Sequence, residues 1–250
     1  MTDAYLLVSH GSRDPRPQIA TSLLAEQLSL WLQNVGGLRS PLVAAAQLEL
    51  AAVPLHRQIG DFASQCQQQE IDRVVILPLF LIPGVHVMED IPAEVALAEL
   101  EIGDKVNLVV ADYLGANADF INLFARNRSG LPDRSIILAH GSRRSGSNQI
   151  VERLAHDLDL TPAYWSVAPS LADRVTMTIA TGATEIGILP YFLFSGGITD
   201  AISAAIAQLR MQFPEIKLIF GEPIGNSPAL AATIGKIFAA QTSAKVNSAW

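Results

Sequence analysis

Three side chains carry chemistry that their surroundings do not require. His10 closes the apolar run Leu6-Leu7-Val8-Ser9 and is followed by Gly11-Ser12-Arg13. His86 follows the turn signal Pro83-Gly84 inside an otherwise apolar loop, where an imidazole gains nothing unless it is used. Glu49 stands near the end of a third stretch, Pro41–Leu50. Two imidazoles and a carboxylate form a ligand set for a divalent first-row metal. A neutral imidazole is also a proton acceptor near neutral pH. Each residue has a plainer reading beside this one. A strand-end histidine can bond backbone or cap a turn, and a glutamate placed like Glu49 is more often a solvated strand-end carboxylate. Glu89 and Asp90, ahead of Ile91-Pro92, suit the start of a helix, with Asp90 as its N-cap.

The elements that must position these residues follow from hydrophobic periodicity. Strands are expected at Tyr5–Ser9, Pro41–Leu50, Arg73–Phe80 and Lys105–Ala111. Helices are expected at Gln18–Gln33, Leu55–Gln69, Ile91–Glu101 and Leu114–Asn127. Arg73–Phe80 is continuously apolar, as a parallel strand covered on both faces must be. Alternating strands and helices specify an α/β domain with a mostly parallel sheet flanked by helices. In such sheets ligands bind beyond the carboxyl ends of the strands. His10 ends the first strand and His86 follows the third, and neighbouring strands would turn both imidazoles into one cleft.

The octapeptide at Leu6–Arg13, Leu-Leu-Val-Ser-His-Gly-Ser-Arg, returns at Ile136–Arg143 as Ile-Ile-Leu-Ala-His-Gly-Ser-Arg. A second unit of the same element order follows it. The linker is Arg128–Arg134, so two tandem domains are expected at 1–127 and 135–250, with a frayed tail at Gln241–Trp250. The repeat register sets His10 on His140, Pro54-Leu55 on Ser170-Leu171 and Leu77-Pro78 on Leu189-Pro190. Carried forward, it sets His86 on Ile198 and Glu49 on Trp165. The second copy keeps the frame and loses the partners, which places the metal site in the first half. His140 then has a structural or a substrate-contact role. Ser12, Arg13 and Arg16, with Ser142, Arg143 and Arg144, lie at strand-to-helix turns and suit carboxylates or phosphates. His56 and His156 sit in helical stretches and read as surface residues.

Composition excludes several classes. A net charge of −7 does not suit a nucleic-acid partner and does suit a cation. Cys66 is the only cysteine, which rules out an internal disulfide and a cluster of thiolate ligands. Neither G-x-G-x-x-G, G-x-x-x-x-G-K-[ST] nor G-x-S-x-G is present. The apolar run Val74–Met88 is too short and too interrupted for a membrane span, and Met-Thr-Asp-Ala-Tyr is not a signal peptide. A monomeric cytoplasmic protein with no membrane partner is expected.

The His-Gly-Ser-Arg turn, Leu48-Glu49-Leu50-Ala51, Leu77-Pro78-Leu79-Phe80-Leu81, Gly84-Val85-His86 and Glu89-Asp90-Ile91-Pro92 resemble the class II tetrapyrrole chelatases. Together with the duplication, they match best the long two-domain sirohydrochlorin chelatase branch. The resemblance implies ATP-independent insertion of Co²⁺ or Fe²⁺, as substrate and with no organic cofactor, into a tetrapyrrole, in cobalamin or siroheme biosynthesis. It implies His10 and His86 as metal ligands and catalytic groups, with Glu49 assisting. Phe80–Val85, including Pro83, Gly84 and Val85, would pack on the ring. Ser12, Arg13, His140 and Arg143 would meet its peripheral groups. The histidine-rich tail of some cobalt-inserting members is absent, and Ile198 disfavours a protoporphyrin ferrochelatase, whose site lies in the other half. Two other readings remain: a non-catalytic metal or tetrapyrrole carrier on the same fold, and a binding protein for a small sugar or amino acid.

Overall fold

A computed structural model describes residues 3–35, 37 and 40–246, apart from the side chains of 241–246. The first repeat runs β1 (Asp3–Ser9), α1 (Pro15–Asn34), β2 (Val43–Gln47), α2 (Leu55–Gln68), β3 (Arg73–Pro78), α3 (Ile91–Ile102), β4 (Asn107–Val110) and α4 (Ala118–Ala125). The second runs β5 (Ser135–Ala139), α5 (Gln149–Asp157), β6 (Thr161–Tyr164), α6 (Leu171–Ala180), β7 (Glu185–Tyr191), α7 (Gly197–Gln212), β8 (Lys217–Phe220) and α8 (Pro228–Val246). The two sheets are entirely parallel, in the orders β2-β1-β3-β4 and β6-β5-β7-β8. The α/β class with two similar parallel sheets is therefore as expected.

Each sheet is held by apolar side chains on helices that cover it. In the first unit Leu6, Val8 and Ile76 pack with Ile59, Phe62 and Cys66 of α2 and Val95 and Ala98 of α3. Each such large side chain, taken fully from water, stabilises the fold by about 1.5–3 kcal/mol. Burial also pushes the Cys66 thiol up to about 11. At the far end of this sheet Arg73 pairs with Asp3 at 2.8 Å, both buried. His56 is not an ordinary surface residue. Its backbone N–H and its Nδ1 both meet Glu94 Oε2, at 2.7 and 2.8 Å, so a carboxylate on α3 caps the start of α2.

Local differences from the sequence reading have local causes. α1 starts at Pro15 because the Asp14 carboxylate accepts from the Arg16 N–H and proline occupies the first turn. The same contact occupies the Arg16 guanidinium, which removes it from the anion-binding candidates. The stretch Leu114–Asn127 is not one helix. Gly115 approaches Leu81 so closely that an added Cβ would lie 2.2 Å from the Leu81 carbonyl oxygen. Asn117 then caps α4 through its Oδ1. α8 continues to Val246, into the stretch read as a frayed tail, and 247–250 lie outside the described residues.

Repeat and packing divide the chain differently. One compact unit comprises 1–121 with 226–250, and the other 122–225, whereas the repeat divides at the linker 128–134. The cause is α8, which closes the second repeat in sequence but packs in the first unit. A Cβ on its Gly235 would lie 2.1 Å from Trp31 of α1, and Phe238 stacks on Tyr5 of β1 at 4.4 Å.

Candidate metal centre

The site is assembled where the first sheet changes direction. β1 lies between β2 and β3, and such a switch point opens a crevice at the strands' carboxyl ends. The β1–β2 ladder runs on past both strands, with the Leu48 N–H bonding the Ser9 carbonyl and the Glu49 N–H the His10 carbonyl, each at 2.9 Å. That last rung sets Glu49 directly beside His10. Gly11 makes the approach possible. It holds φ +97°, and a Cβ there would lie 1.9 Å from the Glu49 carbonyl oxygen. Leu50, the next residue, holds φ +59°, a left-handed conformation costing a residue with a side chain about 1 kcal/mol and typical of functional sites.

From the β3 side comes His86. Residues 86–90 form a π-helical turn, closed by the Ile91 N–H on the His86 carbonyl, that leads straight into α3. The turn brings the Asp90 carboxylate to 2.7 Å from His86 Nδ1. Asp90 is thus not the N-cap expected of it. Its backbone is helical and its side chain caps nothing. The spacing His-x-x-x-Asp was the signal for this pair, since positions four apart share a helix face. The Phe80 ring stands beside both imidazoles, with centroids 6.2 Å from His10 and 6.1 Å from His86.

His10, Glu49 and His86 offer ligand atoms that all lie within 4.8 Å of one another. Among the described residues they form the one group of three such side chains able to share an ion. The two Nε2 atoms are 3.1 Å apart. A first-row divalent ion binds imidazole nitrogen at about 2.1 Å, which puts two adjacent ligands about 3.0–3.4 Å apart. The observed separation therefore fits two ligands of one ion.

Proton placement points the same way. A carboxylate only accepts, so His86 Nδ1 carries its hydrogen toward Asp90. A carbonyl only accepts too, and His10 Nδ1 donates to the Gly11 oxygen at 3.1 Å. The two Nε2 atoms are then left facing each other, an arrangement that a cation held between them satisfies. His10 and Glu49 are exposed and His86 is half-buried, so the pair opens on solvent.

The remaining candidates are distributed less evenly. The Ser12 hydroxyl accepts from the Asp14 N–H and serves the turn before α1, while Arg13 beside it is exposed. Pro83, Gly84 and Val85 do precede His86, with Val85 exposed together with Met88 on this side and Leu50 and Val53 on the Glu49 side. His140 and Arg143 are exposed and belong to the second unit. There the corresponding rung joins the Ser166 N–H to the His140 carbonyl, so the counterpart of Glu49 is Ser166 rather than Trp165. The second copy has shortened its loop between that rung and α6, which a register carried back from the helix start does not detect. Pro78 and Pro190 occupy matching rungs, against Val8 and Leu138, and Ile198 falls in the first turn of α7. Neither side chain, Ser166 nor Ile198, replaces the lost ligands.

Residues 4–129 and 134–240 match the CbiX family model. The chain belongs to the CbiX family. It is 24% identical over 244 residues to a sirohydrochlorin cobaltochelatase of Priestia megaterium, covering 91% of this chain and 76% of the relative. A sirohydrochlorin ferrochelatase of the same organism is 24% identical over 224 residues, covering 83% and 79%. Among solved structures, SirB from Bacillus subtilis with Fe³⁺ superposes with a TM-score of 0.76 at 19% identity, over 96% of this chain and 95% of that one. The shared fold thus extends over both repeats.

Proposed function

We propose that this chain inserts a divalent metal, Co²⁺ or Fe²⁺, into sirohydrochlorin without a nucleotide, using one site at the end of the first sheet. The observation that carries the reading is the pair of Nε2 atoms at 3.1 Å, with Glu49 beside them and Asp90 behind His86. The named relatives act on sirohydrochlorin with cobalt or iron.

Insertion of a divalent ion into a macrocycle releases the two protons on its pyrrole nitrogens. His10 and His86 hold the ion as it loses water, and their lone pairs become free for protons as the ion passes to the ring. Glu49 supplies the carboxylate that offsets the ion's charge and takes up a proton. The exposure of His10 and Glu49 lets those protons reach solvent. Leu50 and Val53, which follow Glu49 in sequence, and Val85 and Met88, which flank His86, are exposed, and Phe80 stands beside both imidazoles, so apolar side chains are at hand for a flat ring to cover. Among the described residues no helix is long and apolar enough to cross a membrane.

The test is chelation followed by absorbance, with sirohydrochlorin and protoporphyrin each offered Co²⁺ and Fe²⁺. Many turnovers with sirohydrochlorin are expected, and a single stoichiometric uptake would make the protein a carrier instead. His86→Ala should reduce turnover at least a hundredfold with the fold intact. Near-wild-type turnover by that variant would remove the assignment.

A further inference from the structure

Beside the triad, at the outer edge of β2, lies a recess of about 220 Å³ between α1, β2 and the start of α2. Its lining is polar yet uncharged, with Ser9, Gln18, Ser22 and Gln47 contributing hydroxyls and carboxamides. Alanines of β2 and of the loop after Glu49, with Leu50, complete it. Gln47 is the informative member. It is only 8% exposed, and Gln58 satisfies its backbone, accepting from its N–H at 3.1 Å and donating to its carbonyl at 2.9 Å. Its own carboxamide bonds no described residue, and Gln47 lines the recess. A carboxamide that lines the recess with no protein partner is free to donate to an acceptor from outside the chain.

We propose that this recess is a socket for one peripheral carboxylate arm of the tetrapyrrole, an inference that rests on the chelatase reading. The arm's methylenes lie on the alanines and its carboxylate accepts from the Gln47 and Gln18 carboxamides and the Ser22 hydroxyl. Position supports this occupant. Ser9 pairs with Gln47 on the rung immediately before the one that joins His10 to Glu49. One rung is about 3.3 Å, so the socket lies within reach of a side arm of a ring held at the triad. The chemistry of the lining supports it as well. Amides and hydroxyls hold a carboxylate by directed hydrogen bonds without a permanent countercharge, which orients the ring and lets the metallated product leave. The strained Leu50 joins the two halves of the site, following Glu49 on one side and lining the socket on the other.

The experiment uses the full chain with Gln18→Glu and Gln47→Glu, each nearly isosteric and each replacing a donor by a repelling charge. Metal-free sirohydrochlorin is titrated by absorbance, Co²⁺ alone by calorimetry, and turnover is measured in parallel. The expected result is a rise in the macrocycle Kd and KM of about tenfold or more, with Co²⁺ affinity within twofold of wild type. Should Gln47→Glu fail to fold, Gln18→Glu with Ser22→Asp places the same repulsion on the exposed face of α1. A macrocycle Kd unchanged within twofold in correctly folded variants would overturn the socket alone and leave it a water-filled recess. Failure of the wild-type protein to bind sirohydrochlorin at all would overturn the chelatase reading and the socket together.

Discussion

Asp90 offers the sharpest test of how this site is built. Removing its carboxylate (Asp90→Ala) takes away the acceptor that keeps hydrogen on His86 Nδ1 and aims Nε2 at His10. Carboxylates in this position are worth about tenfold to a hundredfold in metal affinity. The Asp90 side chain is 44% exposed, so water substitutes in part and the lower end applies. The expected cost is about tenfold in Co²⁺ affinity, equal to about 1.4 kcal/mol. Calorimetric titration with Co²⁺ measures it, and turnover should fall with it. Asp90→Asn retains an acceptor oxygen and should lie between wild type and alanine. A helix N-cap behaves differently, because its loss costs about 1 kcal/mol of folding stability and no metal affinity. Since Asp90 has helical dihedrals and caps nothing, the denaturation midpoint of Asp90→Ala should be unchanged. An unchanged Co²⁺ affinity with a lowered midpoint would refute the assignment and restore the cap.

Further expectations concern the frame around the site. Gly11→Ala drives a methyl group into the Glu49 backbone, so a loss of about 3 kcal/mol or more in urea unfolding, or loss of metal binding, is expected. Glu94→Ala removes both bonds to His56 and should lower stability by about 1–2 kcal/mol, a melting shift of a few degrees, with Co²⁺ affinity unchanged. Bonds from Arg16 hold the Asp14 carboxyl down at about 2, and Ser170 lowers that of Asp173. Depressed carboxyls stabilise the folded state above the ordinary value of 3.8, and that contribution is lost as pH falls below it. Asp14→Asn and Asp173→Asn together should therefore flatten the acid limb of the urea midpoint against pH. The Cys66 thiol runs the other way, because burial raises it from 9.0 to about 11. Its contribution is whole below 9.0 and is lost as pH rises toward 11, so the native protein should react with aromatic disulfides at pH 8 only as fast as it unfolds.

Much of this protein is decided within short stretches. The alternation of strands and helices, the duplication, the strand-end place of His10 and the turn before His86 all follow from local periodicity and turn chemistry, and the structure has them where the residues indicate. Pairing across the fold is another matter. That β1 stands between β2 and β3, bringing His10, Glu49 and His86 within reach of one ion, depends on contacts between residues far apart in sequence. So does the place of α8, whose Gly235 admits Trp31 and which thereby joins the first unit. Ser166 as the true counterpart of Glu49 emerges only from the hydrogen-bonded rung at His140, because a one-residue change in a loop leaves no trace in composition. Asp90 belonged to both levels. Its spacing from His86 was visible in the chain, but only the π-helical turn, closed one residue wider than an α-turn, decided that its carboxylate faces the imidazole rather than the helix end.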